Sequence, residues 1–313
     1  MRCSKCGDEA IVSQRYSGLH LCRGHFIDDV ERKAENTILK EKMVADGDRI
    51  AVALSGGKDS TALLYILDRL LRERKGVEIF AVTVDEGIKG YREETIKSAS
   101  RITRELGVEH ITVSFKDEFG LDLDEMVAAS TSSGRREAPC TYCGVFRKTA
   151  LNRTARNLRA TKVATGHDLD DEAQTVAMNY LKGDIERLAR FAPRRVQRDL
   201  VPRIKPLKAI PEKEVALYAM VNGFYSELPE CPYAYLSLRS DVKEMLNRFE
   251  MKFPGTKHSI VRGFESISGP LAKKYNQVDL ASCRLCGEPC VDELCKACQL
   301  LERMMKKGVR GKE

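Results

Sequence analysis

Residues 50–60 read Ile50-Ala51-Val52-Ala53-Leu54-Ser55-Gly56-Gly57-Lys58-Asp59-Ser60. The first five form a short apolar run with the length and flanks of a buried parallel strand. After Ser60, the residues Leu63, Leu64, Ile66, Leu67, Leu70 and Leu71 recur at helical spacing. The order is strand, glycine turn, helix. Backbone N–H groups at such a helix start cradle phosphate, and glycine lets the backbone approach the anion closely. Ser55, Ser60 and Thr61 add hydroxyl donors. An ordinary strand-to-helix turn needs only one glycine.

Outward from this stretch, strands keep alternating with helices. Ile79–Val84 reads as a strand ending at Asp85, and a helix is predicted from about Glu93 to Leu106. Ile111–Phe115 is the next strand and Lys162–Thr165 another. Such alternation implies βαβ units, a parallel sheet and right-handed crossovers, so the fold class is α/β. Ligands gather at the carboxyl ends of strands in these sheets. Ser55, Asp85 and Gly166 all stand at such ends. The last strand runs into Gly166-His167-Asp168-Leu169-Asp170-Asp171-Glu172. An acidic first turn suits a helix dipole, yet three aspartates and a glutamate in five residues exceed what a cap needs. At a nucleotide site they suit Mg²⁺ through oxygen ligands. His167 reads more simply as a hydrogen-bonding structural residue.

The chain has 313 residues, so one large domain with appendages or two domains are expected. Its hydrophobic content of 42% excludes wholesale disorder. No apolar run approaches the ~20 residues of a membrane helix. The opening Met1-Arg2-Cys3-Ser4-Lys5-Cys6-Gly7 has no apolar signal region, so no membrane association and a cytoplasmic location are expected. The net charge of +7 permits nucleic-acid binding without demanding it. Basic residues concentrate in 186–208, at Arg187, Arg190, Arg194, Arg195, Arg198, Arg203, Lys205 and Lys208. Taken alone, that stretch reads as a solvated basic face.

Eleven cysteines in a chain without a secretory signal point to metal binding or catalysis rather than disulfides. Cys3-x-x-Cys6 followed by Cys22-x-x-His25 is the spacing of a four-ligand knuckle, suited to tetrahedral zinc. His20 falls outside the paired spacing. Cys283-x-x-Cys286 and Cys295-x-x-Cys298 repeat the pattern as a four-thiolate ribbon, with Gly287 and Pro289 supplying the turn. Modules this short take most of their stability from the metal. Cys290 is left over, as a free thiol or an alternative ligand. In the middle of the chain Cys140-Thr141-Tyr142-Cys143 admits zinc, a redox pair or an iron–sulfur cluster. With Cys231 it makes three thiolates and no obvious fourth. A structural zinc site is usually closed by four ligands, whereas a cluster held by three leaves one iron open. A lone Cys231 would otherwise be a small buried hydrophobe.

The hexapeptide Ser55–Ser60 is neither the Walker pattern nor Gly-x-Gly-x-x-Gly. It resembles the PP-loop signature Ser-Gly-Gly-x-Asp-Ser of N-type ATP pyrophosphatases, which split ATP between the α- and β-phosphates and adenylate an acceptor oxygen. Residues 166–171 are similar to the Gly-His-x-x-Asp-Asp segment of tRNA-modifying PP-loop enzymes. With the N-terminal knuckle, the central Cys-x-x-Cys, the distant third cysteine and the terminal ribbon, four motifs stand in one order. That order resembles, along nearly the whole chain, the tRNA 2-thiolation enzymes: TtuA-type 5-methyluridine-54 2-sulfurtransferases and the wobble-uridine cytoplasmic tRNA 2-thiolation proteins.

The resemblance implies a layout. Residues 1–27 would be the Cys3His zinc knuckle, 28–47 a linking helix, 48–235 the PP-loop ATP pyrophosphatase domain with the iron–sulfur site, 236–278 a helical extension and 279–313 the zinc ribbon. Ala53, Ser55, Gly56, Gly57, Asp59, Ser60, Thr83, Gly166 and Asp171 would line the ATP pocket. A basic residue one turn after the second cluster cysteine is expected, Arg147 in preference to Lys148. Cys140, Cys143 and Cys231 would hold a [4Fe–4S] cluster. Two zinc ions, a homodimer, tRNA as substrate, and either a ubiquitin-like sulfur carrier ending in a thiocarboxylate or free sulfide are the further expectations.

The implied chemistry is coherent. A uridine C2 carbonyl has no leaving group. Adenylation of its oxygen by ATP with Mg²⁺ supplies one, and sulfur then expels AMP. The basic 186–208 stretch and the zinc modules would hold the tRNA backbone. Three readings compete: amidation or lysine transfer by a PP-loop enzyme, thiolation through a Cys140–Cys143 persulfide and disulfide without iron, and a non-catalytic RNA-binding zinc protein.

Overall fold

The computed structural model describes residues 1–132, 138–189, 191, 199–233, 238–275 and 280–308. A hairpin of β1 (Val12–Gln14) and β2 (Leu19–Leu21) leads into α1 (Arg23–Lys40). Then follow β3 (Arg49–Ala53), α2 (Lys58–Leu71), β4 (Glu78–Asp85), α3 (Arg92–Leu106), β5 (Glu109–Ser114), the short α4 (Phe115–Phe119), α5 (Leu123–Ser132) and α6 (Pro139–Asn157). The second half holds β6 (Lys162–Thr165), α7 (Leu169–Leu181), α8 (Ile185–Ala189), β7 (Arg203–Ile204) and α9 (Glu212–Val221). Two long helices, α10 (Leu238–Lys252) and α11 (Thr256–Tyr275), precede a small ribbon of β8 (Ala281–Ser282), β9 (Pro289–Cys290) and α12 (Lys296–Gly308).

The central sheet has the order β5-β4-β3-β6-β7 and every pairing in it is parallel. The expected α/β class holds. β3 is covered on both faces, with Ile50, Ala51 and Val52 all fully buried, which explains its unbroken apolar reading. From β3 the chain goes first to β4 and β5 on one side and later to β6 and β7 on the other. The strand order therefore reverses at β3. Crevices open at such reversals outside the carboxyl ends of the strands, here where Ser55 and Gly166 lie.

Two differences from the sequence reading are local. Phe115 starts α4 instead of ending β5, because Ser114 caps that helix by accepting from the Asp117 amide. The fifth strand, β7, has only two residues and no periodicity to betray it.

Separate cores cover the two faces. One face buries α1, α2 and α9 around Phe26, Leu63, Leu67 and Tyr218. The other buries α5, α6 and the C-terminal ribbon around Phe115, Phe146 and Leu300. Glu288, 4% exposed, ties the ribbon to α6 by accepting from Arg156 at 2.5 Å and Asn152 at 3.2 Å. The metal-type module thus braces the helix that carries Cys140 and Cys143.

Within 186–208, Arg190, Arg194, Arg195 and Arg198 lie outside the described residues. The solvated basic face does not extend to the described lysines of this stretch. Lys205 pairs with Glu172 at 2.8 Å, and Lys208 with Glu41 and with Glu265 at 2.8 Å. Burial beside acidic partners converts these lysines from an open patch into internal pairs. Among the described residues no helix is long and apolar enough to cross a membrane.

Candidate functional site

The turn after β3 is shaped by its two glycines in different ways. Gly56 has φ +87°, and a Cβ there would lie 1.9 Å from the Thr95 carbonyl oxygen. Gly57 has ordinary φ −76° and is the N-cap of α2, whose cap comes without a side-chain hydrogen bond. The first-turn amides of a helix have no intrahelical partner, so they face the crevice as anion donors. Ser60 donates to the Gly57 carbonyl at 3.0 Å and accepts from the Ser55 amide at 3.1 Å. The Ser55 and Ser60 hydroxyls stand 3.0 Å apart. Ala53 ends the strand below them, half-buried.

Gly166 closes the crevice from β6. A Cβ on it would lie 2.9 Å from the Asp59 carbonyl and the Ser60 amide. The close approach that this glycine permits is to the loop itself. Thr83 departs from the expected pocket lining. It is fully buried, and its hydroxyl donates to the Leu54 carbonyl at 2.7 Å and contacts His110 Nε2 at 2.7 Å. It braces the strand beneath the turn instead of offering a donor to a ligand.

Carboxylates gather on the far side of the turn. Asp168 caps α7 by accepting from the Asp171 amide at 2.9 Å. Asp170 is buried against Lys257 and accepts from the Glu212 amide at 2.9 Å. Asp171 pairs with Arg239 at 2.6 Å. Lys58 bridges Asp59 at 2.9 Å and Glu212 at 3.0 Å, and Lys243 pairs with Glu212 at 2.8 Å. Burial, then the charge of neighbouring Asp171, pushes the Asp168 carboxyl up to about 8. Burial also raises Asp59 and Asp171, against the pull of Lys58 and Arg239 respectively. Such a cluster favours a hard cation. Among the described residues these carboxylates do not form a tight metal cage of three or more ligands.

His167 contacts the Thr165 hydroxyl at 2.9 Å, and burial with the charges of Lys205 and Arg239 lowers it to about 3. It is therefore neutral near pH 7. A folded-state value below the unfolded ~6.5 means that stability is lost as the pH falls from about 6.5 toward 3. His167→Gln should flatten that slope by about 1 kcal/mol between pH 7 and pH 5, allowing for partial solvent access. Urea midpoints at the two pH values check it; an unchanged slope would place the titration elsewhere.

The three central cysteines come from two segments. Pro139 opens α6 at its first turn, a position where proline is pre-organised for a helix. Cys140 and Cys143 follow three apart on one face. Cys140 Sγ lies 3.8 Å from the carbonyl of Tyr233, two residues past Cys231. Burial pushes the Cys143 thiol up to about 11 against the pull of Arg147, and the charges of Cys231 and Cys140 act on it as well. Arg147, one turn on, donates to Cys143 Sγ at 3.0 Å and to Glu86 at 2.5 Å. The charge of Lys148 also helps to lower His167. Cys231 opens into a surface groove of about 550 Å³ lined by Tyr91, Pro229, Lys243 and Asn247. A metal on Cys143 would hold the thiolate that burial otherwise disfavours.

The outer cysteines pack more tightly. Cys3, Cys6, Cys22 and His25 place their ligand atoms within 4.8 Å of one another, as do Cys283, Cys286, Cys295 and Cys298. Cys6 and Cys22 sulfurs are 3.7 Å apart, and Cys286 and Cys295 sulfurs 3.5 Å. Those separations match the ~3.8 Å edge of a tetrahedron with Zn–S near 2.3 Å. Among the described residues Cys140, Cys143 and Cys231 do not form such a tight group. His20 is not in the N-terminal group, and Cys290 donates to the Asp292 carbonyl at 2.9 Å.

Several site residues went unread in the sequence. Glu86 follows the carboxyl end of β4, one residue past Asp85, so position alone pointed to it. Arg92 pairs with Glu86 at 2.7 Å and donates to the Ser55 carbonyl at 3.1 Å, with no motif around it. Glu212, Arg239, Lys243 and Lys257 reach the crevice from α9, α10 and α11, far along the chain.

Comparison with known proteins agrees with this geometry. The PP-loop domain family matches residues 28–225, and the family of 2-thiouridine synthetase TtuA N-terminal LIM domains matches residues 2–27. The chain is 37% identical to the tRNA 2-thiolation protein NcsA of Haloferax volcanii, over 96% of this chain and 98% of that protein. It is 35% identical to the cytoplasmic tRNA 2-thiolation protein 1 of Chlamydomonas reinhardtii, over 96% and 84%. The solved structure of the U34-tRNA thiolase NcsA from Methanococcus maripaludis with its [4Fe-4S] cluster superposes with a TM-score of 0.84 at 37% identity, covering 97% of this chain and 96% of that one.

Proposed function

Since the chain belongs to the PP-loop family of tRNA 2-thiolation sulfurtransferases, we propose that it adenylates the C2 oxygen of the wobble uridine and replaces that oxygen with sulfur at Cys140, Cys143 and Cys231. The observation that carries this reading is the junction of α6 with the nucleotide turn: Arg147 touches Cys143 and Glu86, and Arg92 links Glu86 to Ser55. The choice of the wobble position over 5-methyluridine-54 leans on the named activity of the Methanococcus maripaludis relative.

The turn amides with Ser55 and Ser60 hold the phosphates, and Asp59 and Asp171 accept the Mg²⁺ that arrives with ATP. The uridine oxygen attacks the α-phosphorus and pyrophosphate leaves. Lys58 and Arg239, already in the crevice, neutralise the charge that develops on the phosphates. A base flipped from its stack enters the groove beside Tyr91 and Cys231. Cys140, Cys143 and Cys231 would hold a [4Fe–4S] cluster, which would supply a binding place for the sulfide that replaces the C2 oxygen. Arg147 holds its charge beside Cys143: burial lowers its proton affinity, but the charge of Glu86 more than restores it. AMP departs with the former C2 oxygen. Zinc at each end would stabilise modules that meet the tRNA backbone, and a sulfur-carrier thiocarboxylate or free sulfide would restore the sulfur. A homodimer completes the reading.

The test uses two tRNA transcripts, one with position 34 changed to cytidine and one with position 54 changed. With ATP, Mg²⁺ and sulfide under anaerobic conditions, nucleoside mass spectrometry should find 2-thiouridine only where uridine 34 remains. Product that instead follows position 54 reassigns the target. Product from neither transcript, with no AMP release, returns the chain to a non-catalytic RNA-binding role.

A further inference from the structure

We propose that Glu86, clamped between Arg92 and Arg147, is a positioning residue that couples occupancy of the nucleotide turn to the sulfur of Cys143. The inference rests on the reading of the two half-sites above and adds a physical connection between them. Glu86 is 2% exposed, and its two oxygens face two guanidinium groups: Oε1 accepts a hydrogen bond from Arg147 Nε at 2.5 Å, while Oε2 lies 2.7 Å from Arg92 Nε as an ion pair without hydrogen-bond geometry. Arg92 is 4% exposed and binds three other groups. It donates to the Ser55 carbonyl at 3.1 Å, the Val84 carbonyl at 2.6 Å and the Thr95 hydroxyl at 2.8 Å. One side chain therefore grips the first residue of the phosphate turn, the end of β4 and the first turn of α3. At the other end Arg147 Nη2 donates to Cys143 Sγ at 3.0 Å. The result is an unbroken line of contacts from a phosphate-binding backbone to a sulfur.

A buried Arg–Glu–Arg triad is a poor stability device. Well-packed apolar groups of similar volume do as well or better, while removal of one member strands an uncompensated charge. What the triad adds here is mutual dependence. The carboxylate is shared, so a stronger hold by one arginine weakens the hold on the other. Phosphates that draw on the Ser55 turn change Arg92, and through Glu86 they change how firmly Arg147 is held against Cys143. Nucleotide binding and sulfur reactivity then become linked equilibria, each biasing the other.

The experiment compares full-length wild type, Glu86→Gln, which keeps shape and loses charge, and Arg92→Lys, which cannot span the same acceptors. Cluster-free protein is alkylated with iodoacetamide with and without a non-hydrolysable ATP analogue. Peptide mass spectrometry gives the Cys143 rate, with exposed Cys140 as reference. Anaerobically reconstituted protein gives the electron paramagnetic resonance spectrum of the reduced cluster with and without the analogue. In wild type the analogue, at a concentration saturating each protein, should change the Cys143 rate by about fivefold or more, and in the variants by under about twofold. The nucleotide-dependent spectral shift should vanish in parallel. Wild-type responses retained in both variants, or no response in wild type, overturn the coupling; simple shielding by the analogue would persist in the variants and count against it. Should Glu86→Gln fail to fold, Arg92→Lys decides. If no form takes up iron, the cluster reading falls while the alkylation arm still decides the coupling.

Discussion

Replacing Gly56 with alanine should lower tRNA-dependent AMP formation on the order of a thousandfold, the scale seen when a positioned backbone donor is lost from a charged transition state. Gly57→Ala, one residue away, should stay within about tenfold of wild type, equivalent to about 1.4 kcal/mol. The two glycines look alike in the sequence and differ in geometry. Gly56 has φ +87°, and its added Cβ would sit 1.9 Å from a backbone oxygen, Thr95 O, and 2.7 Å from Thr95 C. A backbone carbonyl cannot rotate aside as a side chain does. Thr95 lies in α3, and Arg92 of the same turn holds Ser55 O at 3.1 Å and Val84 O at 2.6 Å, so α3 cannot retreat alone. The relief left is to lift the Ser55–Gly57 turn and misdirect its amides. Gly57 has φ −76°, and its Cβ would meet only Ser55 Oγ at 3.5 Å, an ordinary contact. Calorimetric titration with ATP separates binding from chemistry: Gly56→Ala should lose the heat of binding, Gly57→Ala should keep it. Equal AMP formation by the two variants would show that the phosphates do not lie on this turn.

The same contrast shows what the sequence could and could not convey. β3, the glycine turn and α2 were legible because local rules act together there: an apolar run for a strand buried on both faces, two glycines, and leucines at helical spacing. The zinc-type groups were legible because a two-residue gap brings side chains together whatever the fold around them. Illegible features all needed partners distant in the chain. Arg239 and Lys243 look like ordinary helix-surface charges until α10 packs beside α7 and brings them to Asp171 and Glu212. Lys205 and Lys208 read as part of a basic patch until Glu172 and Glu265 meet them. Thr83 stood at the right strand for a pocket, but side chains alternate between sheet faces, and its hydroxyl is held by Leu54 O and His110. Gly166 was read for its nearness to a nucleotide, whereas its missing Cβ makes room for Asp59 and Ser60. Position along a strand is written in the sequence; the face that a neighbouring element will cover is not.

Cys143→Ser should abolish 2-thiouridine formation, a loss of about a thousandfold or more, while single-turnover pyrophosphate release from ATP and tRNA stays within about fivefold of wild type, roughly 1 kcal/mol in barrier. The separation follows from where the groups lie. Phosphate donors and carboxylates belong to the β3–α2 and β6–α7 turns, and none of them is on α6. Cys143 is joined to that machinery through Arg147 and Glu86. A serine hydroxyl keeps the size of the thiol, so Arg147 retains an acceptor and α6 its packing. It is a poor ligand for iron, and it cannot carry a persulfide. Cys231→Ala then divides the two sulfur chemistries. Under the iron reading Cys231 is one of three ligands, so its loss removes iron and acid-labile sulfide together and stops thiolation as fully as Cys143→Ser does. Under the persulfide reading Cys140 and Cys143 suffice, three apart on one helix face, and Cys231→Ala keeps most of its activity. Iron content of anaerobically purified wild type is the companion measurement. Thiolation that survives Cys231→Ala in iron-free protein supplied with a sulfane-sulfur donor would replace the cluster with a persulfide, whose outer sulfur passes to C2 as Cys140 and Cys143 close into a disulfide that a reductant must reopen. Pyrophosphate release that disappears with Cys143→Ser would mean that nucleotide activation and sulfur delivery are one step, and the division of labour between the glycine turn and α6 would have to be abandoned.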